Sequence, residues 1–189
     1  MVIKTALKYP FENEREVLKH FQGYPHIRQL IDEIQDPPAL VLRHLDDNLL
    51  SASNSKKLEK SDVKFIAKRV LVALQALHEK SVVHAGNDSR FLLCLLHEIR
   101  TADTIDVDLT ADVKPDNILV DYGKGPSRFE AVELSDFGNV CRVDPKDHVK
   151  IGGFGHITGA AIFRSPEAML NLRWGTPTDI WSFGTTVSD

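Results

Sequence analysis

Two short runs of the chain hold the side chains best suited to chemistry. Asp112-Val113-Lys114-Pro115-Asp116-Asn117 brings carboxylates, an ammonium and a carboxamide within six residues, and Asp136-Phe137-Gly138 follows 19 residues after Asn117. Carboxylate and amide oxygens are hard ligands of the kind Mg2+ prefers. A lysine ammonium is a compact point charge that suits a phosphate. Lys4, in Val2-Ile3-Lys4, adds a second ammonium far away in sequence. Oxygen donors for a metal and cations for phosphates are what phosphoryl transfer asks of a protein, because that reaction needs positioning and charge neutralisation more than covalent help.

These groups act together only if strands and helices gather them. Val2–Ala6 is short and β-branched and predicts a strand. After Pro10, Phe11, Leu18 and Phe21 recur at helical intervals, with acids early and cations late as the helix dipole favours, and Gly23 and Pro25 end the run. Ile27–Ile34 and Pro38–Leu45 predict two strands around Gln35-Asp36-Pro37-Pro38. The polar stretch Ser51–Ser61 predicts a loop with room for a short helix. Val63, Ile66, Val70, Leu74 and Leu77 then predict a long helix with Ser61 as its N-cap, and Ser81–His84 is extended. Asn117–Val120 and Phe129–Leu134 read as strands joined by a turn with Gly123, Gly125, Pro126 and Ser127, and a last helix runs from Thr178. The order predicts an α+β fold with a small sheet-bearing part, residues 1–45, and a larger, mainly helical part, residues 46–189.

Composition excludes several other classes. With Lys+Arg 23 against Asp+Glu 27 the 189-residue chain has a net charge of −4, so it is not a polyanion binder driven by bulk charge and no direct nucleic-acid contact is expected. The longest wholly apolar run, Phe91–Leu96, is far short of a membrane span, and the start of the chain has no signal-peptide pattern. Cys94 and Cys141 cannot build a disulfide framework or a metal site unaided. A cytoplasmic or nuclear location is expected.

Five ordered motifs resemble a eukaryotic protein kinase domain: Val2-Ile3-Lys4, the 112–117 run, Asp136-Phe137-Gly138, Ser165-Pro166-Glu167 and Asp179-Ile180-Trp181-Ser182-Phe183-Gly184. The resemblance runs from Lys4 to about Val187, apart from residues 85–110. It implies a bilobal kinase-like fold with ATP and Mg2+ as cofactors, and catalysis by Asp112 as base, with Lys114 on the transferring phosphate and Asn117 on metal. Asp136 is implied as the second metal ligand. Lys4, with a glutamate partner on the next helix, grips the nucleotide phosphates, and Leu45 joins the nucleotide-binding set. Glu14 is the favoured partner and Glu16 the alternative. His84 is implied to pack beneath the catalytic loop, and Asp179 to cap that loop's backbone. Lys114-Pro115-x-Asn117 is the serine/threonine form. Asp136–Cys141, Arg164–Glu167 and Thr178–Ser182 resemble the CMGC branch of cyclin-dependent, dual-specificity and SR-protein kinases, the SR-protein kinases most. A protein substrate bearing Ser or Thr, in an Arg/Ser-rich context for that last group, follows.

The chain also departs from the pattern. The resemblance implies a glycine-loop hairpin before Lys4 and further helices after Asp189, so the fold is expected to be incomplete, lacking its first two strands and last helices. His84 and Asp112 are 28 positions apart where the family has His-x-Asp. Removing residues 85–110 leaves His84-Ala111-Asp112-Val113-Lys114-Pro115-Asp116-Asn117, an unbroken family loop. That segment reads as an insertion, an unspliced intron being one origin. Gly152-Gly153-Phe154-Gly155 mimics a phosphate loop but lies where the family has its activation segment. The expectation is a serine/threonine protein kinase fragment of weak or no activity. The rivals are a non-catalytic ATP-binding module or pseudokinase, a small-molecule kinase, and a defective gene model.

Overall fold

β-Branched and aliphatic residues at both ends of the first forty positions produce a three-stranded antiparallel sheet. The computed structural model describes residues 1–5, 8–84, 113–142, 161–170, 172 and 174–188. Strands β1 (Val2–Lys4), β2 (Leu30–Gln35) and β3 (Pro38–Leu42) form the sheet in the order β1-β3-β2, with Lys4 opposite Leu40. The central strand is the most apolar, and Leu40 and Leu42 are fully buried. Helix α1 (Lys8–His20) contributes Val17 and Leu18 to the core, joined by Phe21 just beyond its end. It starts earlier than the sequence suggests. Pro10 lies inside its first turn, where a missing N–H leaves no bond unmade. No acid stands in that turn, so only the cationic end, Lys19 and His20, follows the expected charge order. Lys19 reaches Glu33 of β2 at 2.7 Å.

The remaining elements form the larger part. Strand β4 (Asp47–Asn48) leads into α2 (Leu49–Ser55), and α3 (Lys60–Glu79) precedes β5 (Val82–Val83). Beyond residue 112 come β6 (Ile118–Tyr122), β7 (Phe129–Leu134), β8 (Cys141–Arg142), α4 (Pro166–Met169) and α5 (Thr176–Thr186). A second sheet has the order β4-β6-β7, and β5 pairs with β8. The first half of the serine-rich stretch is therefore helical. The Asn48 side chain accepts the Ser51 N–H at 2.9 Å and starts the helix. The N-cap of α3 is Glu59, not Ser61, because Glu59 and Asp62 exchange side-chain and backbone hydrogen bonds as a capping box. Strand β2 begins at Leu30 rather than Ile27. Residues 26–28 instead cross to β7: Arg28 N–H donates to Leu134 O at 2.9 Å and Leu134 N–H donates to His26 O at 2.8 Å. Apolar side chains of both parts, from Leu18 and Leu42 to Leu77, Leu134 and Phe183, join in one buried cluster.

Helix α5 is the anchor beneath the sequence motifs. Asp179, fully buried, accepts the His84 backbone N–H at 2.9 Å, and His78 Nε2 lies 2.8 Å from the same oxygen. Two turns on, Thr186 donates its hydroxyl to Val113 O at 2.7 Å. Ser182 donates to Phe163 O at 2.8 Å. The expected cap on the loop backbone is thus in place at His84. The segment 85–110 itself, Asp112 and the 152–155 glycines lie outside the described residues. Among the described residues no helix is long and apolar enough to cross a membrane.

Replacing Asp179 with Ala strands a buried N–H and an imidazole together. Hydrogen bonds to charged groups carry about 1.5–3 kcal/mol each, so a loss of about 3 kcal/mol in a denaturant titration is the expected outcome. A loss below about 0.5 kcal/mol, the size of an ordinary surface change, would show that Asp179 is not an anchor.

Candidate functional site

The site forms where β1, α1 and the turn after β7 meet. The β1 register carries Lys4 out of the sheet toward α1. Lys4 Nζ lies 2.7 Å from Glu14 Oε2 and 2.8 Å from Asp136 Oδ1. Residues 10 and 132 positions from Lys4 in sequence thereby share one ammonium. Glu14 is 1% exposed, whereas the Asp136 side chain is 36% exposed. The inner carboxylate is therefore structural in reach, and the outer one can still meet a ligand. Glu16, the alternative partner, points to solvent and pairs with neighbouring Arg15 at 3.3 Å.

The electrostatics follow from that sharing. Burial works to lower the Lys4 pKa, but Glu14 and Asp136 outweigh it and hold the ammonium above its ordinary value. Burial pushes Glu14 up and Lys4 only partly offsets this. Burial also works to raise Asp136, but Lys4, helped by Lys114, prevails and keeps its carboxyl below the usual range. Asp136 is thus ionised at neutral pH, the state a metal ligand needs.

Asp136 has φ 65, the left-handed region that a non-glycine residue adopts only when its surroundings hold it there. The surroundings are specific. Phe137 is fully buried and meets the His84 ring edge-on, with centroids 5.2 Å apart. A Cβ on Gly138 would lie 3.2 Å from Pro10 Cβ, so α1 seats directly on the turn backbone. Asn13 Nδ2 donates to Gly138 O at 3.0 Å and to Val140 O at 2.9 Å.

Below this, residues 113–117 meet the same turn. Pro115–Asn117 is a single 3-10 turn, closed by Asn117 N–H donating to Lys114 O. Ser135 donates both its N–H and its hydroxyl to Asn117 O, at 2.9 and 3.0 Å, which fixes Asn117 one residue from Asp136. Asn117 is 6% exposed. Lys114 Nζ lies 3.9 Å from exposed Asp116. Leu45, in the link between β3 and β4, is buried. Asp112, the expected base, is outside the described residues, so its place in the site is not described.

His84 lies fully buried under the site, and burial holds its imidazole below its ordinary pKa. Its Nε2 is 3.0 Å from Ser135 O. A carbonyl only accepts, so Nε2 carries the proton and the neutral ring leaves Nδ1 bare. Among the described residues Nδ1 has no partner.

The donor set suits a magnesium-bound phosphate. Asp136 and Asn117 offer hard oxygens, and Lys4 and Lys114 offer ammonium groups. Among the described residues no cluster of three or more His, Cys, Asp or Glu could hold a metal by itself. Mg2+ takes one or two protein oxygens and completes its shell with phosphate and water.

Sequence reading missed Asn13 as a part of the site. Its one signal was an asparagine inside a helix, where its side chain competes with the backbone and weakens the helix.

Residues 109–189 match the family model described as the protein kinase domain. The chain is 27% identical over 188 residues to 3-phosphoinositide-dependent protein kinase B of Dictyostelium discoideum, covering 97% of this chain and 17% of that protein. It is 23% identical over 185 residues to a dual specificity protein kinase YAK1 homolog of Arabidopsis thaliana, covering 96% of this chain and 15% of the relative. A third relative, dual specificity tyrosine-phosphorylation-regulated kinase 2 of Drosophila melanogaster, is 36% identical over 78 residues, 41% of this chain and 9% of its own length. The chain spans about a sixth of the length of the first two relatives.

One fully buried imidazole, His84, and one partly buried, His26, make stability pH-dependent. Burial lowers the pKa of His84 and of His26. Unfolded histidines take up protons near pH 6.5, whereas the folded ones resist until lower pH. The unfolded state thus binds more protons in that window, and stability falls as pH drops below about 6.5. Thermal unfolding at pH 7.5 and 5.5 is expected to show a lower midpoint at pH 5.5, and a smaller drop in His84→Gln. A midpoint that rises on acidification contradicts the assignment of neutral, buried rings.

Proposed function

We propose, from the premise that this chain carries a protein kinase domain of the serine/threonine type, that it binds MgATP between β1, α1 and the Asp136 turn and transfers the γ-phosphoryl group to protein hydroxyls. What carries the reading is the single ammonium of Lys4 held between a buried glutamate and a half-exposed aspartate in a left-handed turn. An ion triad alone is common in proteins. Built from motif residues 132 positions apart, and one residue from the fixed Asn117, it is a phosphate and metal site.

In this reading Lys4 turns from Asp136 toward the nucleotide phosphates, with Glu14 keeping it aligned. Asp136 and Asn117 would hold Mg2+, which supplies neutralisation of phosphate charge. Lys114 places a second ammonium near the transferring group. Asp112 accepts the proton of the attacking hydroxyl. An Arg/Ser-rich peptide is the first substrate to test, because the motifs at 136–141 and 164–167 most resemble the SR-protein kinases. A cytoplasmic or nuclear location belongs to the same proposal.

The reading includes residues 85–110 as an insertion. His84 and Val113, on either side of it, are held by Asp179 and Thr186 of one helix. Seven helical residues span about 10 Å. Three chain steps also reach about 10 Å, so the two residues Ala111 and Asp112 suffice to bridge the gap. A displacement of about 1 Å at a reacting group can cost on the order of 100-fold in rate. The insertion therefore makes the chain a slow enzyme.

Isothermal titration with ATP, with and without Mg2+, and a phosphotransfer assay test this. Lys4→Met is expected to weaken ATP binding about tenfold or more with or without metal, since it removes a charge-assisted contact. Asp136→Asn is expected to remove the gain that Mg2+ gives. Deleting residues 85–110 is expected to raise turnover at least tenfold. Tight MgATP binding with no transfer in either form would favour the non-catalytic ATP-binding module. No ATP binding in either form would reject the site itself.

A further inference from the structure

The geometry points to Asn13 as a positioning residue that locks helix α1 to the metal-binding turn, so that Glu14 and Asp136 are placed as one unit. The inference deepens the reading of Asp136 as a metal ligand and, for its nucleotide consequence, rests on it.

A carboxamide has two N–H bonds to give, and both of Asn13's go to the turn. They reach Gly138 O at 3.0 Å and Val140 O at 2.9 Å, carbonyls on either side of Asn139. The turn is closed on itself by Val140 N–H donating to Phe137 O at 3.5 Å, a long bond that leaves it in need of outside support. Adjacent residues of one helix thus grip two faces of the same turn. Glu14 holds the Asp136 side chain through Lys4, and Asn13 holds the backbone just beyond it.

The fit is direct, with no side chain between. Pro10, one helical turn before Asn13, lies where a Cβ on Gly138 would come within 3.2 Å. A left-handed Asp136 persists only if its neighbours fix it. Phe137 is fixed by burial, and the residues after it by Asn13. Without the amide, α1 keeps its apolar contacts and Lys4 keeps Glu14, but the turn loses both side-chain ties to its backbone beyond Phe137. The carboxylate of Asp136 then samples other directions while the ammonium of Lys4 stays put. Metal-dependent binding should suffer, and metal-independent binding should not.

Two readouts on the whole chain test this, using Asn13→Ala and Asn13→Asp. The Asp variant keeps the shape and removes both donors. Hydrogen–deuterium exchange without nucleotide is expected to rise together in peptides covering α1 and residues 136–142 in both variants, and not in Glu16→Ala, an exposed change on the same helix. Affinity for MgATP is expected to fall about tenfold, the worth of two ordinary hydrogen bonds, while affinity for ATP in EDTA changes less than twofold. Unchanged exchange at 136–142 in both variants overturns the clamp, whatever the nucleotide data show. An equal fall with and without Mg2+ overturns the positioning role. Should the unaltered chain bind no ATP, the reading of the site fails, and exchange still decides whether the clamp exists. Far-UV circular dichroism of each variant identifies one that has not folded, and Asn13→Asp and Asn13→Ala back each other on that point.

Discussion

One shared ammonium organises the upper half of the molecule. A partly buried lysine is costly unless its charge is met, and so is a buried glutamate. Each carries the other's counter-charge, and Asp136 adds a second anion at the edge of solvent. The arrangement works only if three separate constraints hold at once. The β1–β3 register must put Lys4 opposite Leu40, the phase of α1 must turn Glu14 inward, and the turn after β7 must accept a left-handed aspartate. Lys4 and Asp136, 30% and 36% exposed, are the members that can change partners, whereas Glu14 at 1% cannot. A nucleotide drawing Lys4 away would leave Glu14 in place to keep the lysine within reach.

The lower half is organised by a different physics, the satisfaction of buried backbone groups. α5 sends three side chains upward, and each ends on a main-chain atom or a ring: Asp179 on His84 and His78, Ser182 on Phe163 O, Thr186 on Val113 O. Through His84 this scaffold touches the upper site. The ring stacks edge-on against Phe137 and its Nε2–H reaches Ser135 O, so the residues on both sides of Asp136 rest on a support tied to α5. Ser135 passes the same support to Asn117. The two prospective metal ligands are thus linked through Ser135 by one short chain of hydrogen bonds. The kinase-domain likeness of residues 109–189 takes in α5, Val113, Asn117 and Ser135 of this scaffold.

Much of this was legible in the residues. Periodicity places α3 and the 118–134 hairpin within a few residues, because their apolar patterns are strong and their turn is rich in Gly and Pro. Element ends were less legible. Glu59 took the cap that Ser61 could have filled, since Asp62 stood at the right spacing to answer it. The start of β2 moved because residues 26–28 found a partner in β7 that no local pattern announces. The choice of Glu14 over Glu16 is a matter of which helix face meets the sheet, and burial of Val17 and Leu18 decides it.

What the amino-acid order determined alone was the inventory: oxygen donors and ammonium groups in motifs that resemble those of a protein kinase, and elements able to carry them. Hydrophobic period and turn chemistry are local, so they survive reading one residue at a time. Only the folded chain decided that Lys4 serves two carboxylates at once, that Asn13 spends both its N–H bonds on the Gly138 turn, and that Asp179 joins His78 to His84. Each of those joins residues that are distant in sequence and a few ångströms apart in space. The reason is burial: a charged or polar group taken out of water must find a partner, and which partner stands there is set by how strands and helices pack, not by its neighbours along the chain.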